Sequence, residues 1–126
     1  MKQKLLFILM TLLPAMVAWA EVGDEFTADG LKYKVTSEAP KSVEVTGYDG
    51  NQPKGDLMIP DIVNDYSVTT IGYYAFQNCT GLTSITIPNS VTTIGDNAFA
   101  NCTGLTSIDF PNGLTSIGRY AFLACI

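Results

Sequence analysis

Residues 57–126 predict an α/β repeat, a solenoid of short parallel strands alternating with short helical turns, on three observations. The first is self-similarity. Residues 71–93 read IGYYAFQNCTGLTSITIPNSVTT and residues 94–116 read IGDNAFANCTGLTSIDFPNGLTS, a period of 23 with 15 of 23 positions identical, and IGRYAFLACI opens a third copy at 117–126. The second is alternation, since Ile85 and Ile87 interleave with Ser84 and Thr86 and so define a half-buried strand, which Pro88 ends by removing a ladder donor. The third is the apolar spacing i, i+4, i+5, i+8 across Ile71, Ala75, Phe76 and Cys79, which fits one helical or 3₁₀ turn. Asp96, directly after Gly95, is expected to cap that turn in the second copy.

The expected repeat core follows from those positions. It comprises Ile71, Phe76, Cys79, Leu82, Ile85 and Ile87 in one copy, and Ile94, Phe99, Cys102, Leu105, Ile108 and Phe110 in the next. One copy has too few apolar side chains to offset the ordering of its backbone, so the coils must share faces and ladders with their neighbours.

The N-terminal part of the chain is different in kind. Residues 1–20 carry Lys2 and Lys4, an apolar run from Leu5 to Leu13 and an Ala18-Trp19-Ala20 cleavage pattern, and predict a signal peptide and export. The apolar run is short for a membrane span. Residues 21–56 predict a β cap. Asp29-Gly30 is a hairpin signal, Leu31, Tyr33 and Val35 share one face, and Val43 and Val45 alternate in a further strand. Residues 57–70 form a degenerate first coil, in which Leu57, Ile59 and Pro60 match Ile85, Ile87 and Pro88, and residues 61–66 hold a five-residue insertion at one corner. At 126 the sequence stops in mid-repeat, with no strand or cap completing the third coil. The expectation is a fragment of a longer array, or a chain whose open repeat stacks on itself or on a partner.

Composition excludes several functions. Without the leader, five basic residues face twelve acidic ones, a net charge of −7, which argues against nucleic acid or an anionic membrane as partner. The chain contains no His, which removes the Ser-His-Asp and Cys-His arrangements and most zinc sites. Asp61 and Asp65 lack a calcium-loop frame and are expected on a solvated corner, so neither a metal site nor an acid-dependent hydrolase is supported. No cofactor and no catalytic residue are expected. Cys79, Cys102 and Cys125 recur at the repeat period and are expected as buried thiols, with a Cys79–Cys102 bridge as the rival reading. Asn78 and Asn101 head Asn-x-Thr sequons, yet are expected to bond backbone groups at a tight corner.

The string I-G-x-x-A-F-x-x-C-x-x-L-x-x-I-x-[IF]-P-x-x-[VL]-x-x resembles the BspA-like leucine-rich repeat of bacterial surface proteins from about residue 55 to 126. It departs from the general repeat frame in carrying Ser90 and Gly113 where other classes carry Asn. The resemblance implies a right-handed leucine-rich-repeat solenoid and a non-catalytic, secreted or cell-surface role in adhesion, with a host, matrix or other cell-surface protein as partner. A structural stalk or spacer carrying a further domain is the alternative. Aligning the strands puts Met58, Thr86 and Asp109 in one outward column, with Ser84 and Ser107 beside them, and these are the expected ligand-contacting residues. Tyr73, Tyr74 and Tyr120 fall on another side, where packing against the neighbouring coil is expected.

Overall fold

The hairpin signal at Asp29-Gly30 is realised as a two-residue turn with φ of 50° and 85° at these residues, the left-handed pair that a type I′ turn requires. It joins β1 (Glu25–Ala28) to β2 (Leu31–Glu38), and β2 pairs antiparallel with β3 (Lys41–Tyr48). The computed structural model describes residues 20–125. The expected targeting segment, apart from Ala20, lies outside them. Leu31, Tyr33 and Val35 of β2 and Val43 and Val45 of β3 are buried on one face.

Each coil then contributes two strands rather than one. β4 (Gly55–Met58), β7 (Leu82–Thr86) and β9 (Ser107–Asp109) form a three-stranded parallel sheet. A second ladder is built from β6 (Tyr66–Ile71), β8 (Thr93–Ile94) and β10 (Ser116–Ile117), and β3 joins it in parallel beside β6. Thus the N-terminal hairpins and the coils share one continuous sheet. The insertion at 61–66 becomes a hairpin of its own, in which β5 (Ile62–Val63) pairs antiparallel with β6 through Asn64 and Asp65 at φ 50° and 69°.

The expected helical turn is absent, and no helix occurs among the described residues. In residues 72–79 the N–H groups of Ala75, Gln77 and Cys79 bond back to Gly72, Tyr74 and Phe76, each at 3.3 Å, as in successive reverse turns. Between them Tyr74, Phe76 and Asn78 donate to Asp96, Ala98 and Ala100 of the next coil at 2.9, 2.7 and 2.8 Å. The second coil repeats this, with Asn97, Phe99 and Asn101 donating to Arg119, Ala121 and Leu123 at 3.0, 2.8 and 2.7 Å. An α-helix would spend every interior N–H within its own coil, whereas turns leave alternate donors to hold the next one. The apolar spacing is the same either way, which is why the sequence pattern suggested a helix.

These turns need left-handed residues. Tyr74, Asn97 and Tyr120 take φ of 60°, 58° and 61° at one repeat position, and Asn78, Asn101 and Ala124 take 64°, 62° and 61° at another. Asn tolerates this conformation best, and the tyrosines hold it at a cost of ~1–2 kcal/mol. Asn78 and Asn101 do mark tight corners, but their side chains bond each other, Asn101 Nδ2 donating to Asn78 Oδ1 at 3.0 Å, rather than backbone groups. Asp96 likewise caps no turn of its own; its Oδ1 accepts the Arg119 N–H of the following coil at 2.7 Å.

Between the three sides lies the core. Ile71, Phe76, Cys79, Leu82, Ile85, Ile87, Ile94, Phe99, Cys102 and Leu105 are buried. Phe76, Phe99 and Phe122 stack with ring centroids 5.4 Å apart at each step, and Tyr48 of β3 continues the column 6.5 Å from Phe76. Two expected core residues differ. Ile108 is only half-buried, and Phe110 is 48 % exposed, meeting Phe122 edge-on at 5.6 Å, because among the described residues no strand follows β9 on that ladder.

Candidate functional site: the outward face of the β4-β7-β9 sheet

The period of two along each strand sends Leu57, Ile85 and Ile108 inward and their neighbours out. Register then builds columns. Asp56, Ser84 and Ser107 lie side by side, as do Met58, Thr86 and Asp109. Met58 is 74 % exposed, Ser107 and Asp109 are exposed, and Ser84 and Thr86 are half-buried. The Ser84 hydroxyl donates to the Asp56 carboxylate, so this part of the face is ordered by the protein itself. The five residues expected from sequence alignment fall in these two columns, with Asp56 as the sixth member.

Two depressions border the β4 end of the face. One, of about 510 Å³, is lined by Met58, Ile59, Pro60, Thr86, Pro88 and Ser90, where the prolines end the strands and open a corner. The other, of about 320 Å³, runs on the far side of β4 between that strand and the Asp29-Gly30 turn, with Leu31, Tyr48, Leu57 and Met58 in its lining. The sequence pattern did not indicate this second groove, since it arises where the chain passes from β3 in one sheet to β4 in the other. Tyr73, Tyr74 and Tyr120 are 73, 54 and 58 % exposed rather than packed against a neighbouring coil, Tyr74 and Tyr120 at the left-handed turn position and Tyr73 beside it.

The face carries the carboxylates of Asp56 and Asp109 and the hydroxyls of Ser84, Thr86 and Ser107. The three cysteines are free thiols. Cys102 donates to the carbonyl of Phe76 at 3.2 Å and Cys125 to that of Phe99 at 3.0 Å, each reaching back one coil. Burial pushes the Cys79 thiol up to about 11 and the Cys102 thiol up to about 12, away from the thiolate that nucleophilic chemistry needs. Among the described residues no cluster of His, Cys, Asp or Glu is placed to hold a metal, and no helix is long and apolar enough to cross a membrane.

The thiols carry a pH prediction. A group whose proton is held more tightly when folded stabilises the fold below its unfolded value and loses that contribution as pH rises through the folded one. Cys79 and Cys102 start from 9.0, and Tyr33, raised from 10.0 to about 12 mainly by burial, acts in the same direction. The melting temperature is therefore expected to hold steady up to about pH 9 and to fall steeply from there to pH 12, each group adding a slope of up to ~1.4 kcal/mol per pH unit. Scanning calorimetry across that range checks it. Replacing Cys79 and Cys102 by alanine should flatten the decline, and an unchanged profile would remove the thiols as its cause.

With the geometry described, the chain can be set beside known proteins. The family model described as BspA type Leucine rich repeat region (6 copies) matches residues 56–126. No curated protein matches the chain. Among solved structures it is similar to a leucine-rich repeat protein from Bacteroides ovatus, at 39% identity and a TM-score of 0.71, over 79% of this chain and 27% of that one. A leucine rich repeat protein of T. pallidum is 31% identical with a TM-score of 0.70, over 80% of this chain and 46% of that one. A leucine rich cell surface protein from Faecalibacterium prausnitzii is also 31% identical, with a TM-score of 0.69, over 82% of this chain and 29% of that one. The chain spans less than half the length of each of these three proteins. Its 23-residue copies, their parallel ladders and the match over residues 56–126 lead to one conclusion: the chain belongs to the BspA-type leucine-rich-repeat family.

Proposed function

We propose that the protein is a non-catalytic, exported or cell-surface binding module that holds a protein partner, from host, matrix or another cell, on the outward face of the β4-β7-β9 sheet. The carrying observation is the register that lines up Met58, Thr86 and Asp109 beside Ser84 and Ser107, giving a flat, mixed polar and apolar surface next to a depression of about 510 Å³. Kinship supports the location, because one similar structure is that of a cell surface protein. The residues 1–20, read as a signal peptide, support export. Fold membership does not name a partner, since repeat solenoids serve many.

The test is binding of the purified protein to a panel of immobilised matrix and cell-surface proteins. Thr86→Lys combined with Asp109→Lys should weaken any interaction at least about tenfold, equivalent to ~1.4 kcal/mol. Tyr73→Lys, on the turn side, should leave it unchanged, and surface changes of this kind should move stability by no more than ~0.5 kcal/mol. Binding that survives the double change would overturn the assignment of the face. If the unaltered protein binds no member of the panel, a spacer role becomes the better reading.

A further inference from the structure

Among the described residues, strand β4 is the first of its sheet and pairs with β7 alone. The Gly55 N–H donates to Gly81 at 2.9 Å and the Ile59 N–H to Thr86 at 3.1 Å, so the odd-numbered residues turn their backbone polar groups to β7. In a parallel ladder N–H and C=O of one residue point the same way, and the groups of Asp56 and Met58 therefore point off the sheet. Leu57 and Met58 of this strand line the groove of about 320 Å³. An open edge of this kind is a template for another strand.

The lining says what that strand would carry. Buried Leu31 and half-buried Tyr48 and Leu57 form an apolar wall, while exposed Asp29 and Asp49 stand at the groove and exposed Asp56 on the strand itself. No Lys or Arg among the described residues forms an ion pair with these three carboxylates. Lys54, the basic residue next to β4 in sequence, lies along Gly81 on the β7 side. A second copy of the chain would bring like acids together, and its net charge of −5 adds to that repulsion. A basic segment meets the opposite field.

We propose that the free edge of β4 captures an extended segment of a partner protein in which lysine or arginine alternates with β-branched residues, adding it as a fourth strand. Main-chain bonds form to Asp56 and Met58, one side-chain set packs on Leu31, Tyr48 and Leu57, and the other lies among Asp29, Asp49 and Asp56. This inference shares Asp56 and Met58 with the outward columns but engages the free backbone edge of β4 and its groove, leaving Thr86 and Asp109, on which the face-binding function is tested, outside the contact.

The probe is a capped synthetic hexapeptide of alternating lysine and valine, titrated into the isotopically labelled protein and followed by NMR. The Asp56 and Met58 amides should exchange freely without peptide and slow at least about tenfold at saturation, with Met58→Pro or Asp29→Lys plus Asp49→Lys weakening binding by a similar factor. A peptide N-methylated on the groups that face the edge should not bind. Thr86→Lys plus Asp109→Lys should leave peptide binding intact, so this idea and the face-binding function fail separately. Amides already protected in the free protein, no shift at millimolar peptide, or equal binding by the N-methylated peptide would each overturn the proposal. Protection that grows with protein concentration alone would assign the edge to a second copy and overturn it too.

Discussion

Phe99→Ala is expected to abolish most of the cooperative unfolding transition. The ring is fully buried and stacks on both sides, 5.4 Å from Phe76 at an interplanar angle of 10° and 5.4 Å from Phe122 at 6°. Truncating a buried Phe costs ~3–5 kcal/mol. Each aromatic pair lost adds ~0.5–1.5 kcal/mol. Against a total stability of ~5–15 kcal/mol for a folded domain, the sum leaves little. Phe122→Ala should be milder, since its ring is only half-buried and has one stacked neighbour. Urea denaturation followed by circular dichroism checks both. Equal costs at Phe99 and Phe122 would contradict this account, since burial and stacking both favour the larger loss at Phe99.

Gly95→Ala should be nearly as damaging, for the opposite reason. A Cβ there would lie 2.6 Å from the Tyr73 nitrogen and 2.9 Å from the Gly72 carbonyl carbon. At Gly118 the corresponding approaches, to the Asp96 nitrogen and the Gly95 carbonyl carbon, are 2.5 and 2.6 Å. These obstacles are backbone and cannot rotate away. The coils would have to separate where Gly95 N–H bonds Ile71 and Gly118 N–H bonds Ile94, both at 2.7 Å. Overpacking costs ~1–3 kcal/mol and more where nothing can yield, so Gly95→Ala is expected at or above the top of that range. Gly113→Ala, whose added Cβ would meet only the Asn89 carbonyl oxygen at 3.3 Å, should cost much less. A denaturation midpoint for Gly95→Ala indistinguishable from the parent would contradict the close-approach account.

The same glycines show what the sequence made legible. The repeat at Ile71 and Ile94 revealed the stacking, the alternation at Ile85 and Ile87 revealed β7, and the pair Asp29-Gly30 revealed the first hairpin. The second ladder escaped because β8 and β10 hold two residues each, too few for alternation to register. The turns at Tyr74 and Asn78 escaped because spacing reports which side chains face inward, not whether an N–H bonds its own coil or the next. Phe110 was read as core by analogy with Ile87, whose outer side is covered by β9; the equivalent cover is missing beside Phe110 among the described residues. The edge of β4 was hidden for a related reason. Which strand comes first in a sheet is a tertiary fact, and only the separation of β3 from β4 into different sheets exposes it.

The cross-coil bonds on all three sides run along the axis on which the coils stack. A pull on that axis loads them in line with their length, so they break a few at a time as one coil peels from the next, rather than all together as in a sheared sheet. The molecule should therefore yield under tension in steps of one coil, at low force, and recover by re-docking on the coil that remains. Mechanical compliance of that kind lets a tethered protein lengthen under flow without giving way all at once.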